Sequence, residues 1–273
     1  MKHLFLFLLL ITVFSSCSES PEEKASLLLT EAREATECNN FSKARELIDS
    51  LRSAYPKAIK TRREALLFVD SLELLAAKHE LRATDSLLVI KSAELEAMKK
   101  EFTFEKDEKY QTVGHYISPN QSGENARSSS IKAQVNEEGL MVLISLLKDK
   151  KISHKSISIS LPTGENAETP QCFSHLTHSI KGYTEESSYK IGEDGGVIQF
   201  IVDMPGTMTV TYKGEKSNYK TQLSPTDKFA VKHCYILYLK FAEVKELKAK
   251  LEKLSLKVRF YEKKISITNE TKS

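Results

Sequence analysis

The residues with the clearest capacity for chemistry are Cys172, His175 and His178, which are spaced three apart. Thiolate and imidazole groups at short intervals often bind Zn²⁺ or a related ion. This spacing aligns side chains only on a helical turn, whereas in a strand it puts neighbours on opposite faces. The alternative is a loop or turn with ordinary polar roles, and we expect neither a bound metal nor a cofactor.

Other sequence signals of an active site are missing. The chain contains no nucleophile elbow, no glycine-rich phosphate-binding loop and no helical His-Glu-x-x-His motif. The formal net charge of +3 is small, and basic residues are not interleaved with aromatic ones, so we expect no nucleic acid partner. These observations favour a non-catalytic protein, although catalytic residues need not be close in sequence.

The N-terminus has the pattern of an export signal. Lys2 precedes an apolar run from Leu4 to Val13, which is too short to span a bilayer but fits a signal-peptide core. The run ends in Phe14-Ser15-Ser16-Cys17, which resembles the lipobox of bacterial prolipoproteins, although Phe14 stands where that family usually has Leu. The resemblance implies cleavage before Cys17 and lipidation of Cys17, with a plain secretory signal as the alternative.

The residues after Cys17 extend this resemblance. The acidic stretch Ser18–Glu23 resembles the export signal of surface-exposed lipoproteins in Bacteroidetes. It implies an outer-membrane lipoprotein, either periplasmic or surface-exposed, that is tethered to the membrane through an N-terminal lipid. In that oxidising compartment the three remaining cysteines allow at most one intramolecular disulfide, and Cys172 with Cys234 is a candidate pair.

A short motif recurs at Ser50, Ser71 and Ser86, each preceded by Asp and followed by Leu. It resembles the O-glycosylation sequon of Bacteroidetes exported proteins, which would make these three serines candidate glycosylation sites. The simpler interpretation is that Asp and Ser form the polar face of a helix whose other face carries the leucines.

Two long helices with seven-residue apolar repeats are predicted to organise the chain. The first series is Leu67, Leu74, Leu81, Leu88, Leu95 and Phe102. The second is Val244, Leu247, Leu251, Leu254, Val258, Tyr261 and Ile265. Residues 64–108 carry 11 acidic and 6 basic side chains, whereas residues 228–264 carry 11 basic and 4 acidic ones. Repeat and charge together predict an antiparallel coiled-coil stalk of about 57–106 with 225–265, and a homo-oligomer through the stalk is the alternative.

In that pairing Leu88 lies near Val244, Leu81 near Leu251 and Phe102 near Ala230. Before the stalk, the patterns at 21–38 and 41–55 predict a helical hairpin. Its second half, with Ala44, Ile48, Leu51 and Pro56, resembles part of a tetratricopeptide repeat.

Between the long helices the apolar period changes to two. Strands are predicted at 131–135, 140–147, 157–161, 197–203 and 208–212, with turn residues between them. Seven to nine short strands indicate an inserted antiparallel β-sandwich, and because its signals are self-contained we expect residues 110–224 to fold alone.

The fold class is therefore α+β. The predicted division is a signal peptide at 1–16, a lipid anchor and hairpin at 17–56, a coiled-coil helix at 57–108, the β-sandwich at 109–224, a second coiled-coil helix at 225–267 and a polar tail at 268–273. We expect an envelope protein that presents the sandwich for binding a protein or surface polymer. The alternative is an envelope or polysaccharide hydrolase with a site in the β-domain loops.

Overall fold

A computed structural model describes residues 20–119, 121, 128–179 and 182–270. The helices are α1 (Pro21–Glu37), α2 (Phe41–Ala54), α3 (Ile59–Lys99), α4 (Val197–Asp203) and α5 (Pro225–Glu270). The strands are β1 (Thr103–Glu105), β2 (His115–Ile117), β3 (Ser130–Asn136), β4 (Met141–Lys148), β5 (Ser156–Ser160), β6 (Asn166–Glu168), β7 (Ser174–His178), β8 (Thr184–Lys190), β9 (Thr209–Lys213) and β10 (Asn218–Gln222). This mixture of helices and antiparallel sheets confirms the α+β class.

The described chain forms two compact units. The first contains residues 20–83 and 251–270, and the second contains residues 84–250 apart from its undescribed positions. The long helices α3 and α5 therefore contribute residues to both units. Among the described residues, no helix is long and apolar enough to cross a membrane.

The first unit is entirely helical. A reciprocal capping box opens α1, because the Ser20 hydroxyl accepts from the Glu23 backbone N–H and the Glu23 carboxylate accepts from the Ser20 N–H. The turn into α2 passes through Asn39 at φ 58°, and the side chain of Asn40 caps α2. The core of this unit consists of small and aliphatic side chains: Ala25, Leu29, Ala32, Leu47, Ile48, Leu51, Ala58 and Ala65.

Ion pairs link α3 and α5 within each unit. In the first unit, Lys264 Nζ lies 2.7 Å from Asp70 Oδ1 and Lys257 Nζ lies 2.8 Å from Glu73 Oε2. In the second, Lys91 Nζ lies 3.3 Å from Glu243 Oε1. The pairs Lys264–Asp70, Lys257–Glu73 and Lys240–Glu94 put the acid on α3 and the base on α5, in agreement with the charge difference seen in the sequence. Lys78–Glu262 and Lys91–Glu243 have the opposite polarity.

The second unit contains two antiparallel sheets. One has six strands in the order β1-β2-β3-β4-β8-β7, and the other has four in the order β10-β9-β5-β6. A single hydrophobic core receives residues from both sheets, including Leu143 and Leu147 of β4, Ile157 and Ile159 of β5, and Tyr212 of β9.

Helical residues complete that core. Leu95 of α3, Phe102 just beyond it, and Val231, Leu237 and Val244 of α5 belong to the same buried cluster as the strands. Phe102 also stacks on His233, with ring centroids 4.1 Å apart. The unit therefore extends beyond residues 110–224 on both sides, and the expectation that this segment folds alone loses its physical basis.

The predicted strand at 197–203 is wrong, because these residues form α4. The Asp194 carboxylate accepts hydrogen bonds from the backbone N–H groups of Gly192 at 3.0 Å and Ile198 at 2.7 Å, which satisfies a donor of the first helical turn. Val197, Ile198 and Ile201 are buried, and this spacing also fits one face of a helix. A short apolar run does not by itself distinguish the two structures.

The predicted end of the first long helix near Lys106 is also wrong. Helix α3 ends at Lys99, and residues 103–105 form β1, which pairs with β2 through Phe104 and Tyr116. Strand pairing satisfies the backbone groups that a continued helix would otherwise have satisfied internally.

Candidate functional site

The outer face of the six-stranded sheet carries an open groove of about 1270 Å³. Strands β3 and β4 supply its floor through Lys132, Gln134, Ile144 and Leu146, and residues from 103–119, together with residue 121, lie along one side. Strands β7 and β8 contribute the opposite side through His178, Thr184 and Glu186. We call this surface the sheet groove.

Strand register explains why these side chains meet. Lys132 pairs with Ile144, Leu146 pairs with Glu186, and Thr184 lies between Lys148 and His178. Because side chains alternate between the two faces of a sheet, the intervening residues point into the core instead. The resulting floor is partly apolar, and its margins can donate and accept hydrogen bonds.

Several charged groups at the groove interact with one another. His178 Nε2 lies 3.3 Å from Glu186 Oε2, and Lys106 Nζ lies 3.1 Å from Glu137 Oε1. The hydrogen bond from Lys106 lowers the pKa of Glu137. Burial lowers the pKa of His115, and the nearby carboxylates of Glu137 and Glu105 only partly offset that effect. The groove therefore has charges of both signs at its margins.

A second polar cluster is buried on the opposite face of the same sheet. Ser145 Oγ lies 2.8 Å from His154 Nε2, and His154 Nδ1 lies 3.0 Å from Glu185 Oε2. Ser187 extends the cluster, because its hydroxyl donates to the His154 carbonyl oxygen at 2.7 Å and lies 2.9 Å from His175 Nδ1. We call Ser145, His154 and Glu185 the buried triad. A nucleophile, a base and an orienting carboxylate have this arrangement in many hydrolases.

The surroundings of the buried triad do not suit catalysis. The side chains of His154 and Glu185 are 0% exposed, and Ser145 is also fully buried. Glu185 accepts hydrogen bonds from the backbone N–H groups of Ile152, Ser153 and His154 at 2.8–2.9 Å. The carboxylate thus holds a loop in which Ser153 has a positive φ of 55°. These hydrogen bonds stabilise the buried Glu185 carboxylate, so its presence is explained without a catalytic role.

Burial also determines the protonation of the buried triad. Burial lowers the pKa of His154, and the hydrogen bond from its ring to Glu185 only partly counters this effect. For Glu185, burial opposes ionisation, but the N–H donors of His154 and Ser153 outweigh it and keep the pKa below its ordinary value. At neutral pH the His154 imidazole is therefore neutral and the Glu185 carboxylate is ionised.

The cysteine and histidine residues singled out by their spacing do not form a metal site. His175 contacts Ser187 and His178 contacts Glu186, while Cys172 lies just before β7. Within the described ranges, no three His, Cys, Asp or Glu side chains are grouped so that they could hold a metal ion. The period of two in β7 separates His175 from His178, as the spacing argument for a strand requires.

The candidate Cys172–Cys234 disulfide is absent, since both thiols are free. Cys234 is buried on α5 and its Sγ lies 3.3 Å from the carbonyl oxygen of Ala133. Burial raises the pKa of the Cys234 thiol to about 12. A thiol of this kind remains protonated and unreactive at neutral pH.

The remaining predicted sites are on the helices or outside the described residues. Ser50 is exposed on α2, Ser86 is exposed on α3, and Ser71 on α3 is half-buried. Cys17 lies outside the described residues. Sequence reasoning did not find Ser145, His154 and Glu185, because they are separated in the chain and no local motif marks them.

No protein-family model, curated protein or solved structure matches this chain.

Proposed function

We propose that this chain is a lipid-anchored, non-catalytic outer-membrane protein that binds a protein or surface polymer in the sheet groove. The observation that carries the proposal is the groove itself, which crosses several neighbouring strands and is partly open to solvent. A partly apolar floor with polar margins is the usual composition of a binding surface.

The shape of the site favours an extended partner. A volume of about 1270 Å³ exceeds what a small ligand needs, and the floor extends across β3, β4 and β8 instead of narrowing to an enclosed pocket. The charged side chains of Lys106 and Glu186 and the imidazole of His178, all in the groove lining, offer several hydrogen-bonding points along such a partner.

The anchor and the finer architecture belong to the same proposal. Cys17 would carry the lipid after removal of residues 1–16. Helices α3 and α5 would form an antiparallel coiled-coil stalk, which the ion pairs within each unit support. The two sheets would form a β-sandwich, which their shared core supports. The anchor predicts that a fatty-acid analogue labels the wild type and not Cys17→Ser.

A fluorescence experiment tests the groove. The chain contains no tryptophan, so Gln134→Trp places a single tryptophan, which can be excited selectively, in the groove, and Gln222→Trp on β10 provides an exposed control outside it. Both variants are made in the chain from Ser18, which keeps every described residue. Fractionated envelope polysaccharide, peptidoglycan and envelope protein are titrated in turn.

A fraction that changes the emission of the Gln134→Trp variant in a saturable way, while leaving that of the Gln222→Trp variant unchanged, supports the groove as the binding site. A bulky Thr184→Trp substitution in an otherwise unmodified chain should then reduce retention of that fraction at least about tenfold, because it fills the groove. Retention of a fraction with no response in the Gln134→Trp variant and no effect of Thr184→Trp would contradict the proposal.

The second candidate function is hydrolysis, and the buried triad is the observation that favours it. Its complete burial favours the binding function instead. A fluorophosphonate probe, which labels activated serines, distinguishes the two. We expect no labelling of the chain from Ser18, whereas labelling that Ser145→Ala abolishes would establish a hydrolase.

A further inference from the structure

Helix α5 carries an exposed apolar stripe within the first unit. Leu256 is 58% exposed, Phe260 is 59% exposed and Ile267 is 51% exposed. Steps of four and seven residues put these three side chains on one face of the helix. Leu254 and Val258, on another face of the same helix, are buried. The stripe therefore lies on a surface that the first unit leaves open.

Basic side chains accompany this stripe. Lys253 precedes Leu256 by three residues and Lys263 follows Phe260 by three, so both share its face. Lys253, Arg259 and Lys263 are exposed and make no ion pair with any described residue. Lys257 and Lys264, by contrast, pair with Glu73 and Asp70. The stripe and these three cations form what we call the basic stripe.

The chain enters the first unit close to one end of the same helices. Glu22 Oε1 accepts hydrogen bonds from the Thr61 N–H and hydroxyl, both at 2.7 Å, so the start of α1 lies beside the start of α3. The ion pair of Lys264 with Asp70 holds the last turns of α5 against the first turns of α3. Cys17 is three residues before Ser20, a reach of roughly 10 Å when extended.

We propose that the basic stripe docks on an anionic lipid headgroup surface. Exposed Leu, Phe and Ile side chains between lysines give a helix affinity for the membrane interface, where the apolar groups enter and the cations meet the headgroups. A soluble polyanion would use the charge and leave the three apolar side chains in water. A second copy of the chain would bring two basic stripes together, or a basic stripe against α3 or α1.

The composition of α3 argues against self-association through α3. Residues 59–83 carry five basic and four acidic side chains, and two of those acids, Asp70 and Glu73, are already paired with α5. Helix α1 does carry exposed acids at Glu23, Glu31 and Glu34 beside the exposed Leu27, so a second copy docked through α1 is the rival occupant, and the dimer measurement below distinguishes it. An anionic membrane supplies negative charge and an apolar phase together.

This inference rests on the proposed function only for the nearness of a membrane, which the lipid on Cys17 would provide. Labelling of Cys17 tests the anchor, and vesicle binding by the chain from Ser18, which lacks leader and lipid, tests the stripe. If labelling succeeds while vesicle binding fails, only the docking proposal falls.

The experiment measures sedimentation with vesicles of phosphatidylcholine alone or with roughly 30% phosphatidylglycerol, a composition of our choosing that approximates the anionic surface of a bacterial leaflet. The wild-type chain from Ser18 should bind the anionic vesicles, and added salt should weaken that binding. Lys253→Glu with Lys263→Glu should reduce the partition coefficient at least about tenfold. Lys216→Glu with Lys220→Glu, exposed lysines of the second unit, makes the same change in net charge and should retain binding.

The apolar half of the stripe is tested by Leu256→Gln with Phe260→Gln, exposed positions at which folding should be unaffected. This pair should also reduce binding at least about tenfold. Full binding by this variant, with loss only in the charge variant, would identify a polyanion site and overturn membrane docking. Equal binding of all four chains, or no wild-type binding to either vesicle, would overturn it as well. A concentration-dependent dimer that Leu256→Gln with Phe260→Gln abolishes would assign the stripe to a second copy.

Discussion

The Nε2 atom of His154 lies 2.8 Å from the Oγ atom of Ser145, at a place in the second unit that solvent does not reach. The same imidazole contacts Glu185 through Nδ1 at 3.0 Å. The backbone N–H groups that Glu185 also binds make the cluster a support for the loop before β5. The cluster thus gives the fold a buried ionisable pair whose protonation affects stability.

We expect acid to destabilise the second unit through His154. Burial lowers the folded-state pKa of this side chain below its ordinary value of 6.5, so the unfolded chain takes up the proton first as the pH falls. The contribution of neutral His154 to the free energy of unfolding is therefore fully present above about pH 6.5 and decreases as the pH falls below that value. The lowered pKa of Glu185 acts in the same direction at still lower pH, below its ordinary value of 4.5.

Denaturant unfolding of the chain from Ser18 at several pH values checks this. Between about pH 7 and 5 the free energy of unfolding should fall less steeply in His154→Gln than in the wild type, by at most about 1.4 kcal/mol per pH unit. His115→Gln is the comparison variant. The pKa of His115 is also lowered, but His115 is only partly buried, so this substitution should change the slope less than His154→Gln does. An unchanged slope in His154→Gln would contradict the assignment.

Glu185 and its neighbour Glu186 point to opposite faces of β8, so they form a matched pair for a stability test. Glu185→Ala leaves one buried and two partly buried backbone N–H groups and the His154 ring without an acceptor, and we expect a loss of about 3 kcal/mol in the free energy of unfolding. Glu186→Ala removes a partly exposed contact with His178, and the loss should remain below about 1 kcal/mol. Comparable losses for the two variants would show that the Glu185 hydrogen bonds contribute little.

Thiol reactivity should follow burial, not pairing. In the chain from Ser18, iodoacetamide should modify the exposed Cys38 first and the partly buried Cys172 more slowly. Cys234, whose pKa burial raises to about 12, should react only after unfolding. Peptide mass spectrometry of a non-reduced digest measures the outcome, and a Cys172–Cys234 linked peptide would refute the free-thiol arrangement.

The minimal folding unit of the β region should include its helical cover. Because Leu95, Phe102, Val231 and Leu237 are buried in the same core as the strands, residues 110–224 alone would expose that core to water. A fragment of residues 84–250 should show a cooperative thermal transition, and a fragment of residues 110–224 should not. A cooperative transition in the shorter fragment would restore the original expectation of an independent domain.

The helical parts of the fold could be predicted because their signals are local. Pro21 at the first turn of α1, Ser224-Pro225 at the start of α5 and the apolar repeats all act within a few residues of where they occur. The strand prediction at 197–203 failed because its apolar spacing fits either structure, and in the helix that forms the Asp194 carboxylate accepts from the Ile198 N–H.

The buried triad could not be predicted for a different reason. Ser145 and His154 are nine residues apart and His154 and Glu185 are 31 apart. Strand register brings Ser145 near Glu185, and the hydrogen bonds of the loop before β5 to Glu185 place His154 between them. Strand β8 also lacks the alternating apolar pattern that predicts a strand, because its core face carries Glu185, Ser187 and Tyr189 instead of aliphatic residues. The sheet groove likewise depends on which residues share a face, and its shape depends on tertiary packing.

The pairing of α3 with α5 is the last prediction. The contact of Lys91 with Glu243 implies that Leu88 and Val244 lie near each other, and both side chains belong to the core of the second unit. Cysteines at positions 88 and 244, in a chain from Ser18 whose native thiols are replaced, should therefore crosslink within one molecule at high dilution. A pair at positions 88 and 236, where Ile236 is exposed about two helical turns from Val244, is the control and should crosslink poorly. Homodimeric helix pairing is the rival, since a second copy could complete the same apolar repeat. Crosslinked dimers without any intramolecular product would establish that rival and exclude the antiparallel pairing within a single chain.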